Sequence, residues 1–134
     1  MLLQPKKTKF KKYKKGIIKK LEYKGTGLKF GSFGLKARQS GVITARQLEA
    51  TRQAITRKLK RAGKVWLRIF PDIPVTAKPL EVRMGKGKGN VSHWVCKVGG
   101  GTVLFEIDGV SKKAAQVAFR TGSAKLPVKT SMID

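Results

Sequence analysis

The chain has 134 residues, the length of one ordinary domain, and 40% of them are hydrophobic, which is enough for a folded core. Its 31 lysines and arginines outnumber seven acidic residues and give a formal net charge of +24, so we expect a polyanionic partner. A single cysteine (Cys96), a single histidine (His93) and the lack of a long apolar stretch exclude a disulfide framework, a Cys/His zinc site and a membrane-spanning segment.

The N-terminal part is the most basic. The first 40 residues hold 13 of the basic residues and one acid, Glu22. Residues 1–27 have too few large apolar side chains for a core of their own, so they are predicted to form a basic arm. Two aromatic rings, Phe10 and Tyr13, stand among the lysines and favour stacking on unpaired RNA bases, although a solvated, disordered tail is the alternative.

Residues 28–134 are predicted to form a single folded domain that begins near Leu28. The segment from Phe30 to Leu35 alternates aromatic residues with glycines, which permit tight backbone turns. Its aromatic rings are expected to pack into the core or against RNA, with the core favoured.

A helix is predicted from Thr44 to Arg61. Thr44 and Gln47 have the spacing of a capping box, and Gly63 is the expected left-handed residue after the last turn. The predicted core face of this helix consists of Ala45, Leu48, Ile55, Leu59 and Ala62. The predicted phosphate-binding face, for which a solvated face is the alternative, consists of Arg46, Arg57, Lys60 and Arg61.

Strands and a second helix follow along the chain. Alternation predicts a strand over 64–70, and three prolines predict an extended connection to a short strand over 80–83. Two alternating segments, 93–98 and 102–107, flank three glycines and predict a hairpin. A helix capped by Ser111 is predicted over 112–121, and a last strand over 128–132.

The segment from Arg83 to Asn90 has three glycines at alternate positions with lysines between them. Bare backbone and charge could approach a ligand closely here. The segment fits neither the phosphate loop G-x-x-x-x-G-K-[ST] nor the dinucleotide pattern G-x-G-x-x-G, so nucleotide binding is disfavoured. A basic loop inserted into folded RNA is the favoured interpretation, and a solvated hairpin tip is the alternative.

No catalytic constellation is predicted. The seven acids are scattered along the chain, and Asp108, close in sequence to Glu106, precedes Gly109 as a turn residue would. Cys96 alternates with apolar neighbours and is predicted to be buried, on the strand face opposite His93. No enzyme activity, metal or cofactor is therefore expected.

Several segments, in the same order along the chain, resemble the bacterial and organellar type of the large-subunit ribosomal protein sixteen family. The most specific match is Arg83 to Asn90. The other matching segments are Pro5–Phe10, Phe30–Ala37, Thr44–Ala50, Phe70–Asp72, Val82, Asp108–Val110 and Ala124–Pro127. The sequence departs from the family pattern at Ile17 to Lys24 and at Lys112-Lys113.

The resemblance implies an α+β fold: a two-layer sandwich of a mixed or antiparallel sheet with two main helices, plus the basic arm. It implies binding to large-subunit rRNA, with tRNA acceptor arms and neighbouring ribosomal proteins as further partners, and neither a membrane nor a homo-oligomer. The loop formed by Arg83, Met84, Gly85, Lys86, Gly87, Lys88, Gly89 and Asn90 is expected near tRNA at the peptidyl transferase centre, with Arg83 as a hydroxylation site. The residues expected to bind rRNA are Lys6, Lys7, Lys9, Phe10, Lys11, Lys12, Tyr13, Lys36, Arg38, Arg46, Arg57, Lys60, Arg61 and Lys64.

The expected location is the large subunit of a ribosome, in the bacterial cytoplasm or in an organelle. A nucleotide-using enzyme built around the glycine-lysine loop is one alternative function. A protein that compacts DNA or binds anionic membranes is the other, since the cationic arm would suffice for it.

Overall fold

The computed structural model describes residues 3–18 and 20–134; the predicted arm positions Met1, Leu2 and Lys19 lie outside this part of the chain. The described residues form seven strands and two helices, which confirms the α+β class. The elements are β1 (Phe33–Ala37), β2 (Gly41–Thr44), α1 (Ala45–Lys58), β3 (Lys64–Leu67), β4 (Ile73–Ala77), β5 (Asn90–Val98), β6 (Val103–Asp108), α2 (Lys112–Ser123) and β7 (Thr130–Ile133). Neither helix is long and apolar enough to cross a membrane.

The strands form two antiparallel sheets. One has four strands in the order β3-β6-β1-β7, and the other has three in the order β2-β5-β4. The helices pack against each other, with α1 also contacting β2, β3 and β5 and α2 contacting β1 and β7. The core lies between the helices and the sheets, where Phe105 of β6, Phe119 of α2 and Leu48 of α1 are almost completely buried.

The start of α1 confirms the predicted capping box. The Thr44 hydroxyl accepts a hydrogen bond from the Gln47 amide, and the Gln47 side chain accepts one from the Thr44 amide. The helix ends at Lys58 rather than Arg61, however, and the chain turns through left-handed conformations at Lys60 (φ 52°) and Arg61 (φ 64°). Gly63 has a positive φ as predicted, but it precedes β3 instead of capping the helix.

The early end of α1 changes its predicted faces. Leu48 and Ile55 are buried as predicted, and Leu59 is buried directly after the last turn. Ala62 was expected on the core face but is exposed, because the helix has ended before it. The second helix begins after Ser111 as predicted and continues to Ser123.

The predicted hairpin between 93–98 and 102–107 is wrong. Both strands form, but β5 pairs with β2 and β4, whereas β6 pairs with β1 and β3 in the other sheet. The segment between them crosses from one sheet to the other, with the Gly101 amide bonded to the Ala37 carbonyl at 2.7 Å. Alternation identifies a strand, whereas its partner depends on long-range packing.

The predicted strand over 80–83 is also wrong, because these residues form an exposed turn. The strand that precedes the glycine loop is β4, which contains Pro74. Proline cannot donate a hydrogen bond to a sheet, but β4 is an edge strand of the three-stranded sheet, where such a residue is tolerated. The strand predicted over 64–70 forms only at Lys64–Leu67.

The N-terminal segment contacts the folded part at several points. Leu3 is buried in the core cluster. The Glu22 amide donates a hydrogen bond to the Gly100 carbonyl at 2.9 Å, and the Gly100 amide donates one to the Lys20 carbonyl at 3.0 Å. The division into an arm (1–27) and a domain (28–134) stays a prediction, and these contacts define how the segment lies on the domain.

Candidate nucleic-acid interface

The predicted RNA-binding residues of the arm are all exposed. Phe10 leaves 62% of its surface accessible and Tyr13 leaves 40%, although both are aromatic. Lys9 places its ammonium 5.8 Å from the centre of the Phe10 ring. The arm therefore presents rings and cations together on one extended segment.

The arm lies against the glycine-lysine loop. The Lys12 ammonium donates to the Lys88 carbonyl at 3.0 Å, and the Lys88 ammonium donates to the carbonyl of Tyr13. Residues 13–16 and Ile18 also line a cleft of about 320 Å³ over the three-stranded sheet, with Val42, Pro74 and Val95 among its apolar lining residues. Two segments that were predicted separately from sequence thus form one continuous basic surface.

The loop itself is the tip of the hairpin formed by β4 and β5, whose last paired residues are Ala77 and Asn90. Arg83 and Lys86 are exposed, and Met84 is fully exposed at the tip. A side chain at Gly89 would collide with the Ala77 carbonyl, so glycine is required where the two strands separate. The strands thus hold a projecting, cationic tip of small cross-section.

A second basic surface lies on α1 and the turn that follows it. Arg57 and Arg61 are exposed and, with Arg52, line a shallow groove of about 250 Å³. Arg52 binds Glu49 through two hydrogen bonds, of 2.6 Å and 2.9 Å. Those bonds hold the pKa of Glu49 at about 2. Glu49 remains ionised and neutralises Arg52, so the uncompensated charge of this groove comes from Arg57 and Arg61.

The remaining predicted residues do not all gather at one site. Arg46 is exposed at the start of α1, Lys60 is exposed in the turn after it, Lys36 lies on β1, Arg38 follows β1, and Lys64 begins β3. Within residues 3–18 and 20–134 only three ion pairs form, namely Glu49–Arg52, Arg68–Glu106 and Lys112–Asp134. Most of the cationic surface is therefore available to an external polyanion.

Lys112 lies in the first turn of α2, where the helix dipole disfavours a cation and a nearby anion offsets this cost. In the structure the side-chain carboxylate of Asp134 pairs with Lys112 and supplies such an anion.

Sequence reasoning missed a buried carboxylate, Glu106, at the centre of β6. Its two oxygens accept the amides of Lys29 (3.1 Å), Phe30 (2.6 Å) and Gly31 (2.8 Å), and it also pairs with Arg68. Burial by itself raises the pKa of Glu106, but the amide and guanidinium hydrogen bonds together lower it below its ordinary value. The signal in the sequence was an acid in the middle of an otherwise apolar strand, which requires a partner when buried.

The residues with potential for catalysis or metal binding are not brought together. Cys96 is buried as predicted, and burial raises the pKa of its thiol to about 12, so it is protonated at neutral pH. His93 is exposed, and its Nδ1 lies 3.4 Å from the neighbouring Ser92 hydroxyl. In the part of the chain that the structure describes, no three metal-ligating side chains cluster.

Comparison with known proteins identifies the family of the chain. The model of the family described as ribosomal protein L16p/L10e matches residues 5–133. The chain is 59% identical over 132 residues to the large ribosomal subunit protein uL16 of Rhizobium etli (strain CIAT 652), covering 98% of this chain and 96% of the relative. With the same coverage it is 58% identical to that protein of Sinorhizobium medicae and 59% identical to that of Chelativorans sp. (strain BNC1).

Proposed function

The chain belongs to the ribosomal protein L16p/L10e family, and from this premise we propose that it binds large-subunit rRNA and helps to position tRNA near the peptidyl transferase centre. Its relatives are structural proteins of the large ribosomal subunit, so its role is structural rather than enzymatic. The observation that carries the proposal is the basic surface: a net charge of +24 with three ion pairs among the described residues. The relatives named above are bacterial, and the proposed location is a bacterial or organellar ribosome.

The arm supplies the main rRNA contact in this proposal. The arm lysines that the structure describes are exposed and take no part in its ion pairs, and Phe10 and Tyr13 offer rings to unpaired bases. The Lys12 and Lys88 contacts fix the direction in which the arm leaves the loop. An extended cationic segment of small diameter fits between RNA helices, where a folded domain would not.

The exposed arginines of α1 supply a second rRNA contact. Arg57 and Arg61 flank a groove whose size suits a phosphate group, and guanidinium groups bind phosphate with paired hydrogen bonds. We assign Lys60 to the same contact because it is exposed in the turn after α1, and we assign Arg46, exposed at the start of α1, to a separate phosphate. Lys36, Arg38 and Lys64 are proposed to meet neighbouring phosphates.

The hairpin tip is the proposed tRNA-proximal element. The segment from Arg83 to Asn90 projects from the end of a sheet, carries three cations and has no bulky side chain besides Met84 and the cations themselves. It can therefore approach an acceptor arm without displacing the domain. Arg83 is exposed, which a hydroxylating enzyme acting on it before assembly would require.

The rRNA proposal is tested with two variants of equal charge. One replaces Lys6, Lys7, Lys9 and Lys11 by glutamine, and the other replaces the exposed lysines Lys112, Lys113, Lys125 and Lys129 by glutamine. Each lost phosphate contact lowers the slope of log affinity against log salt by about 0.7 to 0.9, so the arm variant is expected to lose about 3 from its slope on a large-subunit rRNA fragment. The control variant is expected to keep most of its slope.

Sedimentation in high-salt sucrose gradients gives the second measurement. We expect the wild-type chain to travel with large subunits and the arm variant to be depleted from them. A wild-type chain that stays at the top of the gradient, or an arm variant with unchanged slope and incorporation, would contradict the proposal.

The tRNA role is tested separately with Arg83→Ala. Because Arg83 is exposed, and the hydrogen bonds between the arm and the loop are made by Lys12, Tyr13 and Lys88, we expect normal incorporation into large subunits and slower accommodation of aminoacyl-tRNA. The matched control is Arg120→Ala, which removes an exposed arginine from α2. Accommodation rates in purified mutant ribosomes that equal those of the control would refute this role.

A further inference from the structure

Two aromatic rings lie side by side on the face of the four-stranded sheet that points away from Phe105. Phe30 and Trp66 are stacked with their centroids 6.1 Å apart and their planes inclined by 20°. Trp66 lies on β3 beside Glu106 of β6, and Phe30 belongs to the segment that crosses over this face. Phe30 nevertheless leaves 54% of its surface exposed, although the sequence favoured packing of this ring in the core.

The exposed ring is held in place by the backbone below it. The amides of Lys29, Phe30 and Gly31 all donate to the buried carboxylate of Glu106. A Cβ atom at Gly31 would lie 2.6 Å from the Ile107 carbonyl oxygen, so the segment is in direct contact with β6. The backbone at Phe30 therefore cannot move away from β6 without breaking a set of charge-assisted hydrogen bonds, so the fold fixes the point on this face from which the ring extends.

Three cations surround the two rings. The Lys29 ammonium lies 5.8 Å from the centre of the Phe30 ring, and the Arg68 guanidinium carbon lies 5.5 Å from it. The Lys64 ammonium lies 5.2 Å from the centre of the Trp66 ring. Arg68 is paired with Glu106, whereas Lys29 and Lys64 take no part in the three ion pairs of the described residues.

We propose that Phe30 and Trp66, with Lys29 and Lys64 at their edge, form a binding site for an unpaired rRNA nucleotide, whose base stacks on the exposed ring. This inference rests on the proposed rRNA-binding function and adds a site on the outer face of the four-stranded sheet. The rings supply the stacking surface and the ammonium groups reach the flanking phosphates, the combination by which proteins hold single-stranded nucleic acid. An apolar protein partner fits less well, because it would bury two lysines without a counter-charge.

The test uses Trp66 as the reporter. The chain has two tryptophans, so Trp94→Phe leaves Trp66 as the sole fluorophore. The probes are a ten-nucleotide oligoadenylate and an abasic ribose-phosphate chain of the same length and charge. We expect oligoadenylate to quench Trp66 and to bind more tightly than the abasic chain, and Phe30→Leu to weaken oligoadenylate binding roughly tenfold while leaving abasic binding unchanged.

Phe70→Leu is the matched control, because Phe70 is a similarly exposed ring with no proposed RNA contact, and thermal melts establish that each variant is folded. If Phe70→Leu weakens oligoadenylate binding and Phe30→Leu does not, or if Trp66 emission is the same with both probes, the site is refuted. If Trp94→Phe prevents folding, the affinities for the two probes are measured instead in the wild-type chain and in the Phe30→Leu variant. A lower ratio of oligoadenylate to abasic affinity in Phe30→Leu then supports the site, and an unchanged ratio refutes it. If the wild-type chain and the Phe30→Leu variant bind large-subunit rRNA with the same affinity, this inference alone is refuted. If the wild-type chain binds no rRNA, the proposed function is refuted.

Discussion

The carboxylate of Glu106 fixes the segment at residues 29–31, which leads from the arm onto the four-stranded sheet. It is completely buried, and it satisfies three backbone amides and one guanidinium at once. Removing one partner of such an arrangement leaves the others buried without a hydrogen bond, which costs far more than the average hydrogen bond contributes. Glu106 is therefore a structural residue, although its chemistry is that of many catalytic carboxylates.

We expect Glu106→Gln to lower the free energy of unfolding by about 2 to 3 kcal/mol at neutral pH. Since the pKa of Glu106 is below its ordinary value in the folded state, its stabilisation is complete above the unfolded pKa of about 4.3. The stabilisation is lost as the pH falls through the folded pKa. Urea unfolding at a series of pH values should therefore show the difference between wild type and variant narrowing in acid.

Glu49→Gln is the matched control, because Glu49 also pairs with an arginine but lies at the surface of α1. Water screens the charges of a surface pair, so we expect its loss to cost below about 1 kcal/mol. Equal effects of the two substitutions at neutral pH would show that burial does not determine the role of Glu106.

At the scale of secondary-structure elements, the features that depend on neighbouring residues were predicted correctly, whereas the features that depend on distant partners were not. Thr44 and Ser111 cap their helices as the sequence indicated, because a cap involves residues within one turn. The predicted end of α1, at Arg61, was less accurate, because the helix ends at Lys58. Lys60 and Arg61 adopt left-handed conformations that glycine usually takes, and the packing of Leu59 into the core determines where the helix stops.

The strands show the same contrast between local and long-range features. Alternation identified β5 and β6, but both were assigned to one hairpin because three glycines separate them. The chain instead changes sheets there, which brings β6 between β1 and β3 and places Glu106 under Phe30. Pairing across more than half the chain leaves no local trace in the sequence, so neither the aromatic pair nor its cations could be predicted to lie together.

At the scale of the whole molecule, the charge opposes folding and favours RNA binding. A net charge of +24 on one domain is self-repulsive, and salt screens that repulsion as well as the attraction to phosphate. We expect the isolated protein to melt about 4 °C higher as KCl rises between about 50 and 200 mM, the shift that ~1 kcal/mol of stability produces in a chain of this size. Over the same range, its affinity for an rRNA fragment is expected to fall roughly a thousandfold.

Circular dichroism melts and filter binding in the same buffers measure the two responses. The tetra-glutamine arm variant carries less charge, so both of its responses should be smaller. A melting temperature that falls with salt would contradict this account, because it would mean that attractive ion pairs dominate the fold.

The sequence by itself determined that this chain is a basic protein of a recognisable ribosomal protein family, with two capped helices and a cationic glycine loop. Composition, caps and contiguous segments are local properties, and each can be interpreted without knowing what lies nearby in space. Only the tertiary structure decided that the arm lies against that loop, that β5 and β6 belong to different sheets, and that a buried carboxylate holds an aromatic ring exposed among cations. These features arise from contacts between residues far apart in the chain, whose formation depends on the cooperative packing of the entire core.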